Sequence, residues 1–112
     1  MRVEIREADG VHVVSVVGEL DLLSSASFFE CVREVAGRPK ARVVLDLGAL
    51  TFLDSMGAGQ LWKTVQGVRE GGGTAAFAAV PEFVRKLFDS IGFSAEVEVF
   101  PTVEEAVRRL RA

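Results

Sequence analysis

Residues 43–70, VVLDLGALTFLDSMGAGQLWKTVQGVRE, hold the pattern that decides the fold. The opening VVLDL is short and strongly apolar, which is typical of a buried strand. Gly48 to Asp54 is predicted to be a loop that carries the apolar pair Phe52–Leu53. Apolar residues then recur at spacings of three and four, which predicts an amphipathic helix from about Met56 to Glu70.

Toward the amino terminus, the pattern predicts a hairpin followed by a helix. Val3–Arg6 alternates apolar and polar residues, Val11–Val17 is a denser β-branched run, and the short connection makes the pair antiparallel. A helix follows, with a capping box at Ser27–Glu30 and with Ser24 or Ser25 as alternative starts. Its expected apolar face is Phe28, Phe29, Val32 and Val35.

Toward the carboxyl terminus, strands and helices continue to alternate. Gly71–Gly73 is predicted to end the long helix, and Thr74–Val80 is the next strand. Pro81 suits the first turn of a helix that Gly92 closes. Glu96 to Phe100 is a weaker last strand, and the final helix begins at a capping box, Thr102–Glu105. The inner face of the helix after Pro81 is predicted to be Val84, Leu87, Phe88 and Ile91.

The order ββαβαβαβα predicts a single α/β domain over residues 1–112. Strands that alternate with helices favour parallel crossovers within one sheet. Because the opening hairpin is antiparallel, the sheet is predicted to be mixed, mostly parallel and about five strands wide.

Composition excludes several classes of protein. With 112 residues, 49% of them hydrophobic, the chain can build one core and is not disordered. Net charge is −3 and the longest basic cluster is Arg108–Arg109 with Arg111, which is a weak footprint for nucleic acid, so no direct binding to nucleic acid is expected. No signal peptide and no apolar run of about 20 residues are present, which predicts a cytoplasmic protein that does not enter a membrane. The single cysteine, Cys31, is expected to be a buried, inert thiol.

Catalytic groups are few, so no enzyme, cofactor or metal site is expected. His12 is the only histidine and lies within a predicted strand, where nothing nearby makes it a base. Glu19 and Asp21 could flank a functional site, but two such carboxylates more often only keep a surface loop in contact with water. The triple glycine precedes a strand, whereas a phosphate-binding loop follows a strand and opens a helix.

Ser55 lies between a strand and a helix, where hydrolase serines also lie. A nucleophile elbow requires glycine two positions before the serine, and Leu53 occupies that position. The local pattern therefore favours a helix cap, supplied by either Asp54 or Ser55. Gly57 and Gly59 cost helix stability in the same turn, which indicates a need for close backbone approach there.

The Gly-Glu-Leu-Asp element at Gly18–Asp21 and the Asp54–Ser55 element occur together with several further segments along the chain. Together these segments resemble the STAS domain of bacterial anti-sigma-factor antagonists. The resemblance covers nearly the whole chain in the right order, and its most specific parts are the Gly-Glu-Leu-Asp and Asp-Ser elements. Met56 departs from the small residue that often follows the serine in this family. The matching segments are Gly18–Asp21, Leu45–Leu47, Phe52–Gly57, Gly72–Gly73, Pro81, Val84–Phe88, Gly92–Phe93, Thr102 and Glu105–Ala106.

The resemblance implies a function that local sequence does not reveal. Helices would pack mainly on one side of the sheet, and Ser55 would be phosphorylated by an anti-sigma factor that is also a serine kinase. The unphosphorylated chain would bind that kinase and free the sigma factor, and a serine phosphatase would reset it. Contacts with the partner would come from Asp21, Asp54, Ser55, Met56 and Gly57.

Two other functions remain open from the sequence. One is a STAS scaffold or accessory subunit, in a stress-signalling complex or attached to a lipid transporter. The other is a small-ligand or nucleotide-binding module, which would lack a phosphate loop here. No stretch indicates a large exposed apolar patch, so a monomer is expected.

Overall fold

A computed structural model describes residues 1–111 and shows eleven elements in this range. The strands are β1 Arg2–Ala8, β2 Val11–Leu20, β3 Arg42–Asp46, β4 Leu50–Leu53, β5 Thr74–Ala78 and β6 Val99–Phe100. The helices are α1 Ser25–Ala36, α2 Ser55–Glu70, α3 Glu82–Ile91, α4 Phe93–Glu96 and α5 Val103–Leu110.

The strands form one mixed sheet in the order β1-β2-β3-β5-β6, with β4 beside the end of β2. Strand β1 is antiparallel to β2, and the other pairs are parallel. Two parallel partners share the edge of β2 that faces away from β1: residues 12–15 pair with β3, and Gly18–Leu20 pairs with β4. Ser15 Oγ donates a hydrogen bond to Asp46 Oδ2 across the β2–β3 pair (2.8 Å).

Apolar side chains cover both faces of the sheet. The larger core lies between the sheet and α1, α2 and α3, and it includes Phe28, Leu61 and Phe88. The smaller core lies beneath α5, where Ala76 and Ala78 of β5 present only methyl groups. Three of the long helices thus lie on one face and α5 on the other, which confirms the predicted α/β fold with helices mainly on one side.

Local predictions were confirmed at several element ends. Helix α2 ends at Glu70 with Gly71 as its C-cap, so the triple glycine does stop the helix. Thr102 caps α5, because its Oγ1 accepts a hydrogen bond from Glu105 N–H (3.2 Å). The capping box predicted at Ser27–Glu30 was wrong, because helix α1 begins at Ser25 with Ser24 as N-cap, which agrees with the alternative of an earlier start.

Two predicted boundaries were wrong. The loop predicted for Gly48–Asp54 contains strand β4, whose Leu50 and Leu53 are buried while Thr51 and Phe52 are exposed. The last strand was predicted from Glu96, but Glu96 belongs to the short helix α4, and β6 has only Val99 and Phe100. Neither segment alternates regularly enough to reveal its structure from sequence.

Three side chains predicted to be buried are exposed. Cys31 lies on the outer side of α1, so its thiol is accessible and the prediction of a buried cysteine was wrong. Phe29 and Ile91 were placed on inner helix faces but are 39% and 45% exposed. Phe29 instead lies beneath Lys63 Nζ, 5.7 Å from the ring centroid.

Candidate functional site

The candidate site lies at the edge of the sheet where β2 and β4 end. The two strands are parallel, so their carboxyl ends lie side by side, with Leu20 paired to Leu53. The chain leaves β2 through a short loop into α1, and it leaves β4 directly into α2. This topology brings Asp21 and Asp54, which are far apart in sequence, to the same edge.

Asp54 joins the start of α2 to the loop after β2. Its backbone is extended, and its Oδ1 accepts a hydrogen bond from Gly57 N–H (2.8 Å), so Asp54 is the N-cap. Its Oδ2 accepts a second hydrogen bond from Leu22 N–H (3.1 Å). One carboxylate therefore stabilises the helix and positions the neighbouring loop.

Ser55 is the first residue of α2, and its side chain is exposed. Because Asp54 provides the cap, the hydroxyl of Ser55 is not needed to satisfy the helix end. Backbone N–H groups at a helix amino terminus point toward negative charge and favour it. The Ser55 position can therefore accept a phosphoryl group without loss of a structural hydrogen bond.

Asp21 organises the loop between β2 and α1. Its Oδ1 accepts hydrogen bonds from Leu23 N–H and Ser24 N–H, each at 3.0 Å. Ser24 Oγ accepts a hydrogen bond from Asp21 N–H, also at 3.0 Å. Together with the Asp54 contact, these bonds hold the backbone of residues 21–24 in one conformation.

Gly57 and Gly59 have different roles in the first turns of α2. A Cβ atom at Gly57 would lie 2.2 Å from the carbonyl oxygen of Leu20 and 2.8 Å from Leu53 Cδ1. Gly57 is buried, and the absence of a side chain lets α2 pack directly on the end of β2. A Cβ at Gly59 would meet nothing within 4 Å. The close backbone approach expected from the sequence is thus an internal one, at Gly57.

Large apolar side chains are exposed around Ser55. They come from the loop after β2, from β4 and from the first turn of α2. Met56 had been named from the sequence, whereas the other three had not, because apolar residues beside a strand suggest a core rather than a surface. The four exposed fractions are 62% for Leu22, 91% for Leu23, 46% for Phe52 and 48% for Met56.

The other sequence candidates lie elsewhere or do not assemble. His12 is in β2, away from Ser55, with its Nε2 3.1 Å from Arg38 Nη1. Glu19 and Asp21 line a shallow, open depression next to Leu23. Within residues 1–111, no three His, Cys, Asp or Glu side chains are grouped as a metal site requires, and every helix is too short or too polar to span a membrane.

One curated relative and two solved structures show what the chain resembles. Anti-sigma-F factor antagonist RsfB of Mycobacterium tuberculosis is 29% identical over 111 residues, which cover 97% of this chain and 88% of RsfB.

The two structures share the fold over almost their entire length. An anti-sigma factor antagonist from Mycobacterium paratuberculosis has 28% identity and a TM-score of 0.83, with 99% of this chain and 94% of that chain covered. A candidate anti-sigma factor antagonist from Thermotoga maritima has 20% identity and a TM-score of 0.90, with coverage of 98% and 95%.

The family model of the STAS domain matches residues 2–106, from β1 into α5. The match contains both strand ends and the helix start that form the candidate site. The chain therefore belongs to the STAS domain family.

Proposed function

We propose that the chain is an anti-sigma factor antagonist that is switched by phosphorylation of Ser55. In its unphosphorylated form it binds an anti-sigma factor that is also a serine kinase, and the sigma factor is released. Phosphorylation of Ser55 blocks this binding, and a serine phosphatase restores it. The protein acts as a binding partner and a substrate, and the catalytic groups belong to the kinase and the phosphatase.

The exposed Ser55 at the start of α2 is the observation that carries the proposal. Its hydroxyl is accessible, and the helix is capped by Asp54 instead. The identity with RsfB, named as an anti-sigma-F factor antagonist, supports the class of partner. The STAS domain match supports the fold that the proposal requires, and it covers the residues around Ser55.

Charge explains how one phosphoryl group would change binding. A phosphoserine adds about −1.5 to −2 charges at neutral pH. The helix amino terminus tolerates this charge, so the fold need not change. Outward from the helix, the new charge lies beside the carboxylate of Asp54. A partner that covers this surface would have to desolvate the added charge, and its affinity would fall.

The residues proposed for partner contact divide by exposure. Ser55 and Met56 are exposed and can be touched directly. The carboxylates of Asp21 and Asp54 accept hydrogen bonds within the fold, so in this proposal they shape the surface and supply its negative charge. Gly57 is buried against Leu20 and contributes by setting the position of α2.

The decisive experiment is phosphotransfer from candidate anti-sigma kinases of the source organism, with the modified residue mapped by mass spectrometry. We expect one phosphate, on Ser55, and none after Ser55→Ala. Ser90→Ala is the matched control, because Ser90 lies on α3 and donates its hydrogen bond to Leu87 within that helix. Modification of another serine, or of none, would contradict the proposal.

Binding measurements test the switch itself. Ser55→Ala is expected to bind the kinase as tightly as wild type, and Ser55→Asp at least tenfold more weakly. Both variants should keep the free energy of unfolding within about 0.5 kcal/mol, since neither removes a cap. Equal binding of the two variants would favour a STAS scaffold, in which the serine has no switching role.

A further inference from the structure

The loop between β2 and α1 carries two exposed leucines. The side chain of Leu23 is 91% exposed, the largest value for a large apolar side chain in residues 1–111, and that of Leu22 is 62% exposed. Full burial of a leucine side chain is worth about 1.5–3 kcal/mol, and most of this is not gained when the side chain stays exposed in the folded chain. We call these two residues the leucine pair. Their exposure calls for a partner surface that covers them.

The leucine pair is held on a fixed backbone. Leu22 N–H donates to Asp54 Oδ2 (3.1 Å), and Leu23 N–H donates to Asp21 Oδ1 (3.0 Å). Ser24 N–H donates to the same oxygen of Asp21. Because the backbone is already fixed, this loop loses little conformational entropy when a partner binds it.

The pair is also continuous with the surface around Ser55. Leu22 N–H is hydrogen-bonded to Asp54, which directly precedes Ser55. Met56, directly after Ser55, is the next exposed apolar residue. A partner that contacts Ser55 can therefore cover the leucine pair without leaving this surface.

The charge around the pair defines its complement. Glu19 and Asp21 line the depression next to Leu23, together with Met1, and the carboxylate of Asp54 accepts a hydrogen bond from Leu22 N–H. An apolar pocket bordered by Lys or Arg side chains would match this pattern, because complementary potentials speed association and fix the orientation.

We propose that the leucine pair is the apolar anchor by which the unphosphorylated chain binds its anti-sigma factor kinase, in an apolar pocket with a cationic rim. This inference rests on the proposed function and adds residues to it. Ser55 reports the state of the switch, whereas Leu22 and Leu23 supply the affinity. Asp54 contacts both parts and is a positioning residue.

The anchor is tested with Leu23→Ser and Leu22→Ser, each unphosphorylated, in calorimetric titrations against the kinase that modifies Ser55. We expect Leu23→Ser to raise Kd at least tenfold and Leu22→Ser to raise it less, following their exposures. Ile91→Ser is the matched control, an exposed apolar residue at the end of α3 that should leave Kd within twofold. Chemical denaturation should show that all three variants remain as stable as wild type.

A second variant tests the cationic rim. Glu19→Gln removes one charge while the backbone stays in place, so it should slow association and flatten the salt dependence of Kd. An unchanged salt dependence of Kd would contradict the proposed cationic rim of the partner's pocket.

The outcomes separate the anchor from the switch. If Leu23→Ser binds within twofold of wild type while Ser55→Asp binds weakly, the anchor is wrong and the proposed function stands. If wild type binds no anti-sigma kinase, the proposed function is wrong and the anchor fails with it. Loss of binding in Ile91→Ser to the same degree would also overturn the anchor.

Discussion

Asp54 carries the hydrogen bonds at the start of α2, and Ser55 is left free of them. An N-cap carboxylate is worth about 1 kcal/mol to a helix, whereas an exposed serine at the first helical position is worth little. Asp54 thus stabilises the helix start, and the proposed phosphorylation falls on its neighbour, Ser55. Under this proposal, Ser55 would change its charge while the helix start remains intact.

Gly57 and Gly59, in the first turns of α2, provide a paired test at the same scale. Gly57→Ala should lower the free energy of unfolding by about 2 kcal/mol, because the new Cβ would collide with the carbonyl of Leu20. Gly59→Ala should raise it by about 0.5–1 kcal/mol, because alanine favours the helix and space is open. Urea denaturation of both variants checks the prediction. Equal effects of the two substitutions would mean that α2 does not pack on β2 as described.

At the scale of elements, the loop between β2 and α1 depends on a residue more than thirty positions away. Leu22 N–H reaches Asp54, with a sequence separation of 32, whereas Leu23 and Ser24 reach only Asp21. The loop therefore has one long-range and one local support. Only the long-range one connects it to the helix that carries Ser55.

Amide hydrogen exchange can separate these supports. In Asp54→Asn, the side-chain oxygen can still cap Gly57, but the amide NH₂ cannot accept from Leu22. We expect the Leu22 amide to lose protection at least tenfold, while the Ser24 amide, bonded to Asp21, keeps its protection. Equal loss at both amides would show that Asp54 supports the whole loop rather than Leu22.

Element order could be predicted from sequence because the helices α2 and α5 have clear periodicity and caps. Strand β4 could not be predicted, because its four residues are buried, exposed, exposed and buried, which breaks the alternation of a strand. The start of α2 near Ser55 could be predicted from the sequence, because a buried strand precedes it and a helical repeat follows it. The exposure of Leu22 and Leu23 could not be predicted, because it depends on hydrogen bonds to Asp54 and Asp21 that only the folded chain brings together.

At the scale of the whole molecule, the sheet carries apolar side chains on both faces, and both faces must be shielded from water. Helices α1, α2 and α3 bury the larger core, and α5 alone supplies the helical cover of the smaller one. Ala106 is fully buried there, against a sheet surface that includes Ala76 and Ala78. The domain thus depends on one eight-residue helix for its second face.

A charge placed under α5 tests this dependence. Ala106→Asp should cost at least about 3 kcal/mol, because an unpaired carboxylate would be buried. Glu105→Asp is the matched control, since it introduces the same residue at an adjacent exposed position and should be nearly neutral. Thermal unfolding of both variants gives the comparison. A mild effect of Ala106→Asp would show that α5 is not essential cover.

The parallel pairing of β2 with β3 has a consequence for the time course of folding. Ser15 and Asp46, which meet across these strands, are 31 residues apart, so α1 and both its connections must be closed into a loop before they pair. Among the strand pairs of residues 1–111, β1–β2 is the one that joins strands connected by a short turn. Loop closure is entropically costly, and topologies with distant contacts fold more slowly than helical bundles of the same size. We therefore expect that, in a newly made chain, the edge of β2 that later pairs with β3 stays unpaired until this loop closes, and that it is open to association with other chains during that time.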